Sequence, residues 1–448
     1  MFEHNKILIL GFARSGYEAA KLLIERGNEV ILNDSKEEEK QDADKVKELR
    51  EMGVQFVFGS HPDDLLDSSF DYLIKNPGVP IDHKYVLKAR ELGIEVINEV
   101  EMAYRLLPKG VQIVGITGTN GKTTTTTLTY EILHHAFGDQ VVLAGNIGYP
   151  LSGVLKDIGS DTILVMEVSC QQGENLKEFH PHVGVVTNFS EAHIDFMKTY
   201  EHYKEVKAKM FYQQSSSDIA ILNHDNLDVL NEMQNLVSQK KYFSSKESIE
   251  GCHLKDRDIY YYDEKIMSID DIKIKGMHNV ENCMAAIMVA KEFSVPNDVI
   301  VKTIEEFRGV EHRLEYVDTV HGVEYYNDTE ATNIKCTQIA LSSFQKPIIL
   351  FLGGMERGQA FEDLTPYMDH VKAIIAIGTC RERVAEYAKS IEKDVYVFEH
   401  LVDGFHKVSE IADEGDVVLL SPASASWDQY KECEVRGAEF KDQVHKLK

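Results

Sequence analysis

The stretch Gly115–Thr124, GITGTNGKTT, constrains this chain more than any other. An apolar run of strand length, Gln112–Ile116, enters a glycine-rich turn, and Lys122 and Thr123 then open a helix. Backbone N–H groups of such a turn point inward and cradle phosphate. Lys122 can neutralise β- and γ-phosphate charge, and the Thr123 hydroxyl can ligate Mg²⁺. A strand feeding a helix this way belongs to a parallel α/β sheet. The literal G-x-x-x-x-G-K-[ST] pattern is not met, because Gly115 stands one residue too early and the next glycine is Gly118. A tight turn with helix-start glycines is the competing account. The conjunction of strand, Gly118, Gly121, Lys122 and Thr123 favours phosphate. The run Thr123–Thr127 points the same way, since β-branched residues are poor helix formers.

The rest of the chain repeats the strand–helix alternation. At 448 residues it exceeds one ordinary core. Expected strands are Lys6–Leu10, Glu29–Asn33, Tyr72–Lys75 and Glu95–Ile97, then Gln112–Ile116, Val141–Ala144, Ile163–Glu167, Gly184–Thr187 and Asp218–Leu222, and finally Val323–Tyr326, Ile348–Leu352, Ala373–Ile377, Val395–Phe398 and Val417–Leu420. Short β-like pieces between His253 and Ile274 suggest a small antiparallel insert. The reading is α/β with three domains, 1–107, 108–309 and 310–448: a Rossmann-like unit, a P-loop-type unit and a second Rossmann-like unit.

Acidic residues outnumber basic ones, 74 to 48, for a formal charge of −26. That argues against a protein that coats nucleic acid, while leaving room for a small phosphorylated ligand. No apolar stretch approaches a membrane span, and no secretory signal is evident at the N-terminus, so a cytoplasmic protein is expected. Six scattered cysteines include no C-x-x-C pair, which fits free thiols better than zinc or disulfides.

Taken with the segments that follow it, the loop resembles that of the Mur ligase family, G-x-x-G-T-N-G-K-[ST], and the resemblance runs over the whole chain. It implies ATP contacts at Gly118, Thr119, Asn120, Gly121, Lys122, Thr123 and Thr124. ILVMEVSCQQ (163–172) ends a strand at Glu167, on its own either a surface acid or a metal ligand. By resemblance to E-x-S-S-F-Q, Glu167 binds Mg²⁺, although Cys170 and Gln171 replace the usual Ser-Phe. VVTNFSEAHID (185–195) resembles T-N-x-x-x-x-H-x-D, which makes His193, otherwise readable as a structural histidine, a ligand of a second Mg²⁺. Ala192 departs from the acidic or threonine residue usual there. In YKEVKAKMF (203–211) the lysines alone read as a solvated helix face. The family lysine four residues after the tyrosine, Lys207 here rather than Lys209, carries a carbamate. A carbamate beside two cations supplies an anionic oxygen where an ammonium would be repelled.

GMHNVENCMAA (276–286) reads as a polar helix start, and the resemblance assigns His278, Asn279 and Asn282 to ATP. EHRLE (311–315) resembles H-R-x-E, which implies that Arg313 meets the γ-phosphate when the last domain closes. YYNDTEATN (325–333) implies that Asp328 holds the ribose, but Glu330 stands where the family has lysine.

GFARSG (11–16) is a weak dinucleotide fingerprint, with Asp34 ending the next strand, and NAD is its generic ligand. The resemblance instead implies a UDP-sugar held by Ala13, Arg14, Ser15, Asp34, Ser35, Lys36 and Asn76, with Asn146 of GNIG (145–148). LGGMERG (352–358) and SPASASWDQYKECEVRG (421–437) resemble the D-glutamate-adding branch. There Thr332 and Arg357 would bind the α-carboxylate, and Ser426 with the backbone N–H of Cys433, where the family often has phenylalanine, the side-chain carboxylate. The implied activity is ATP-driven joining of D-glutamate to UDP-N-acetylmuramoyl-L-alanine by a monomer, with Lys122, Lys207, His193 and Arg313 catalytic, two Mg²⁺ ions and a carbamylated Lys207. Neither nucleic acid nor membrane is an expected partner.

Three alternatives stand beside it. A sister amide ligase shares the loop, but SPASASWDQY and the missing D-N-P-[AR] signature speak against it. A nicotinamide-dependent dehydrogenase leaves the second-domain loop unexplained. A non-catalytic nucleotide-binding relative is kept open by Cys170, Ala192 and Glu330.

Overall fold

Short apolar runs closed by glycine, asparagine or an acid become strands covered on both faces, as parallel sheets require. The computed structural model describes residues 2–448, and the side chain of Asp195 lies outside that description. The first sheet contains β1 (Lys6–Leu10), β2 (Glu29–Asp34), β3 (Gln55–Phe58), β4 (Tyr72–Lys75) and β5 (Glu95–Ile97), all parallel in the order β3-β2-β1-β4-β5. The second contains β6 (Gln112–Thr117), β7 (Val141–Gly145), β8 (Ile163–Glu167), β9 (Val183–Val186), β10 (Ile219–Asn223), β11 (Gln239–Ser244), β12 (Gly251–Lys255), β13 (Asp258–Tyr261) and β14 (Glu264–Ser268). Its order is β14-β13-β12-β11-β10-β9-β6-β8-β7. The third contains β15 (Glu315–Val320), β16 (Val323–Asn327), β17 (Ile348–Gly353), β18 (Val371–Ile377), β19 (Asp394–Val397) and β20 (Val417–Leu420), ordered β15-β16-β20-β17-β18-β19.

The chain forms two compact units, one running to Asp271 and including Met277–Ile304, the other made of Ile272–Gly276 and Glu305–Lys448. The first unit carries two sheets joined by a shared core in which Ile97, Val100 and Met102 meet Leu151, Phe179 and Leu164. A polar splint reinforces this join. Asn98 caps the helix Glu99–Tyr104 and also donates to the Gln172 carbonyl. Glu99 accepts from the Ser152 N–H and hydroxyl, each at 2.6 Å. Glu101 accepts the N–H groups of Lys177, Glu178 and Phe179 at 3.0, 3.0 and 3.1 Å. Buried carboxylates satisfied this way are hard to displace, so the two sheets are fixed to each other. In the second unit, apolar clusters cover both faces of the third sheet.

The pieces at 253–274 pair antiparallel as expected, β12 with β13 and β13 with β14, and β12 joins them to the central sheet by pairing parallel with β11. Strands β3, β11 and β15 were not foreseen, because each is largely half-buried and mixes polar with apolar residues, so none shows a continuous apolar run. Among the described residues no helix is long and apolar enough to cross a membrane.

Candidate active site

Strand β6 lies between β9 and β8, so the loop leaving it opens where the strand order reverses, the usual ligand position in an open parallel sheet. Gly118–Gly121 is locked by main-chain and amide contacts from the turn after β9. Thr119 N–H donates to the Asn188 carbonyl at 2.8 Å, Asn120 N–H to Asn188 Oδ1 at 3.0 Å, and Thr187 Oγ1 to the Asn120 carbonyl at 2.6 Å. Gly121 has φ +81° and abuts Asn282, so a Cβ there would collide with that amide. Lys122 Nζ donates to the Thr119 carbonyl at 2.9 Å. The helix Lys122–Phe137 starts at Gly121 with no side-chain cap, so its first-turn N–H groups remain available to a phosphate. Thr123 and Thr124 are half-buried in that turn. Thr125 turns inward and donates to Asn282 Oδ1 at 3.2 Å, while Asn282 donates to Asn279 Oδ1 at 3.0 Å. His278 is exposed at the start of the same helix, Met277–Glu292.

Lys207 is 2% exposed, and its Nζ donates to the Gly118 carbonyl at 2.6 Å. Burial, and secondarily the charge of Lys122, lower its pKa to about 7, so a reactive neutral amine is available near neutrality. Lys209 points elsewhere, donating to the Glu174 carbonyl at 3.2 Å. Tyr203 gathers this corner: its hydroxyl donates to Thr119 Oγ1 at 2.9 Å, Lys207 Nζ lies 5.0 Å from its ring centre, and the His193 ring stacks on it at 6.5 Å. His193 has φ +53° where it opens the short helix Ile194–Met197. Glu167 ends β8 beside Ile116 and Gly145. Its Oε1 accepts from Asn146 Nδ2 at 2.7 Å, while Oε2 is buried without a hydrogen-bond partner. A buried carboxylate oxygen lacking a donor, near a neutral amine, suits a hard divalent cation. Gln172 has a local role: with Ser169 it forms a reciprocal capping box on the turn after β8.

At the first sheet, the loop after β1 is held by acid and amide groups. Asp34 accepts the Phe12 N–H at 2.7 Å and the Lys36 N–H at 2.8 Å. Asn76 donates to Ser15 Oγ at 3.0 Å and accepts from the Gly78 N–H at 3.2 Å. Ala13 precedes the first turn of the helix Arg14–Glu25, which also lacks a side-chain cap. Arg14 donates to the Gly148 carbonyl of the turn that carries Asn146. Ser35 and Lys36 complete an exposed or half-exposed rim.

In the second unit the carboxyl ends of the adjacent strands β16, β20 and β17 bring three segments together. Asp328 is buried after β16 and accepts from Ser421 Oγ at 2.7 Å and the Leu314 N–H at 3.0 Å, and burial pushes its carboxyl up to about 7. Arg313 is paired with Glu330 at 3.6 Å, so the acid that replaces the family lysine faces an arginine. Thr332 sits in the following turn, its N–H donating to the Glu330 carbonyl. Arg357 lies over the Trp427 ring at 4.6 Å. Ser426 is 1% exposed, and its Oγ has no hydrogen-bond partner. Cys433 begins the helix Cys433–His445 and accepts from Thr329 Oγ1 at 2.8 Å.

Family comparisons agree with this layout. Residues 5–98 match the MurD-like N-terminal domain of Mur ligases, 116–290 the Mur ligase middle domain, and 312–424 the Mur ligase glutamate ligase domain. A UDP-N-acetylmuramoylalanine--D-glutamate ligase of Streptococcus agalactiae is 43% identical, covering 100% of this chain and 98% of that protein. The protein of that name from Enterococcus hirae is also 43% identical, again over 100% and 98%, and one from Geobacillus kaustophilus is 41% identical over 100% and 99%. The chain belongs to the Mur ligase family. Solved Mur ligases share the fold. The UDP-N-acetylmuramate-alanine ligase of Thermotoga maritima superposes with TM-score 0.59 at 17% identity, covering 99% of this chain and 100% of that one. A MurF ligase from the same organism, in complex with ADP, gives 0.56 at 16% identity over 100% and 96%.

Within this Mur ligase several site-building residues escaped the sequence reading. Tyr203 served there only to number Lys207. Thr187 and Asn188, which fix the loop Gly118–Gly121, stand in the T-N of the motif that gave His193, but the motif assigned them no role. Trp427 and Arg436 lie inside the closing segment, but nothing in their spacing tells which neighbours they meet.

Proposed function

We propose that this Mur ligase joins D-glutamate to UDP-N-acetylmuramoyl-L-alanine at the expense of ATP, a step of peptidoglycan precursor synthesis in the cytoplasm. The observation that carries the reading is the corner around Lys122, Lys207 and Glu167, present in a chain whose full-length relatives bear that name. A carboxylate oxygen of the muramoyl-alanine attacks the γ-phosphorus and ADP leaves, giving an acyl-phosphate. The amino group of D-glutamate then attacks the acyl carbon, loses a proton, and inorganic phosphate departs with the C–O bond. Lys122 and the first-turn N–H groups of its helix hold phosphate charge during the first transfer. Arg313, released from Glu330, supplies a second cation. Glu167, His193, Thr123 and a carbamate on Lys207 would hold two Mg²⁺ ions, which polarise phosphoryl oxygens when bound.

The loop after β1, with Arg14, Ser15, Asp34, Ser35, Lys36, Asn76 and Asn146, takes the UDP end. Thr332, Arg357, Ser426 and the Cys433 N–H take the two carboxylates of the acceptor, with Arg357 offering a planar fork. The domain limits 1–107, 108–309 and 310–448 follow these three roles. Phosphate release tests the reading. It should require ATP and both other substrates together; release that ignores either one, or none with all three, would overturn it.

A further inference from the structure

Arg436, on the helix Cys433–His445, is 1% exposed. Its Nε donates to Thr329 Oγ1 at 2.9 Å, and Nη2 donates to the carbonyls of Thr329 at 3.0 Å and Ser424 at 3.1 Å. Nη1 is buried without a hydrogen-bond partner. Among the described residues no carboxylate stands within ion-pair distance, so every partner is neutral. Burial lowers its pKa, but only to about 10, so the guanidinium is charged at neutral pH. Its direct partners are all neutral and the Asp428 carboxylate acts on it only from beyond ion-pair distance; a full charge buried this way is costly and ordinarily has an anion to meet.

Its neighbours indicate which anion. Thr329 leads into Thr332, and Ser424 leads into Ser426, whose hydroxyl is likewise buried without a partner. Cys433 begins the same helix one turn earlier, and its carbonyl also receives Thr329 Oγ1. Gly354, in the turn leading to Arg357, passes so close that a Cβ there would stand 3.0 Å from Nη1. The four segments proposed to hold the acceptor therefore meet at one guanidinium. Ser426 and Arg436 present donor and positive character, while the carboxylates of Glu330 and Glu434 lie beside the Cys433 thiol.

We infer that Arg436 is a positioning and specificity residue for the acceptor, its buried charge selecting an amino acid with a carboxylate side chain over an uncharged isostere. The inference rests on the D-glutamate reading above. A merely structural tie would penalise every acceptor alike. A charge that selects would penalise the dicarboxylate specifically.

The test uses the full-length protein with ATP, UDP-N-acetylmuramoyl-L-alanine, and either D-glutamate or D-glutamine as acceptor. Wild type should prefer D-glutamate; failure there overturns the proposed function rather than this inference. Arg436→Met should reduce the D-glutamate/D-glutamine ratio of kcat/KM by about tenfold or more, with KM for ATP changed less than about twofold, and Arg436→Lys, which keeps the charge, should reduce the ratio less than Arg436→Met. An unchanged ratio in Arg436→Met, or equal losses for both acceptors, overturns the inference. Should Arg436→Met not fold by circular dichroism, Arg436→Gln replaces it. The excess Tm rise that D-glutamate gives wild type over the same concentration of D-glutamine should disappear in the variant, and an excess that persists would also count against the inference.

Discussion

Two glycine loops in the first unit look alike in sequence and are built differently. The loop after β1 is backed by a carboxylate and an amide, Asp34 and Asn76. The loop after β6 is backed by two lysines: Lys122 folded over it and Lys207 buried beneath it. Both helices begin without side-chain caps, so both can take phosphate. Only the second folds a cation, Lys122, over the loop itself, and on the proposed reading that is where charge moves during phosphoryl transfer. On the proposed reading both loops hold phosphate, and the residues behind each loop decide whether it reacts.

The largest effect should come from removing the cation on the reacting loop. Lys122→Ala is expected to lower ATP-dependent turnover on the order of 10³-fold with an unchanged circular dichroism spectrum. Substantial retained turnover would erase the contrast between the loops. Lys207→Ala should cost about 10²-fold and be partly rescued by short-chain carboxylic acids, because these replace an anionic metal ligand. Lys209→Ala, whose Nζ is engaged at Glu174, should stay within about threefold. If activity followed Lys209 instead, the assignment of the carbamate would be off by two residues.

The lowered pKa of Lys207 gives a pH prediction. The neutral amine attacks CO₂ and the ammonium does not, so the amine is ready above its pKa of about 7 and fails as pH falls through it. At fixed CO₂ pressure, reactivation of carbamate-depleted enzyme should be about tenfold faster at pH 8 than at pH 6. A flat profile would mean that burial does not prepare this amine. The smallest effect belongs to the resting loop. Asp34→Ala should raise KM for the UDP-substrate about fivefold and leave KM for ATP alone, since two N–H groups lose a charged acceptor. Equal shifts in both constants would show that the two loops do not act separately.

How much could be read beforehand varied with burial and range. β1, β6, β8, β17 and β20 are covered on both faces and appear as unbroken apolar runs, whereas β3 and β15 are half-exposed and do not. Lys122 was legible because its partners lie within the loop. Tyr203 and Arg436 were not, because they act across 84 and 107 residues. Glu330 looked like an unexplained charge reversal until Arg313 was found opposite it.

The account stands or falls on the acceptor. With ATP and UDP-N-acetylmuramoyl-L-alanine supplied, D-glutamate, L-glutamate, D-aspartate and glycine should compete in one reaction, with products resolved by mass and by chiral analysis of the hydrolysate. The account predicts that the D-glutamate adduct dominates, that D-aspartate, shorter by one methylene, follows far behind, and that ADP and phosphate appear in step with it. Equal incorporation of glycine would remove the second carboxylate site, and ATP turnover without any adduct would contradict ligation itself.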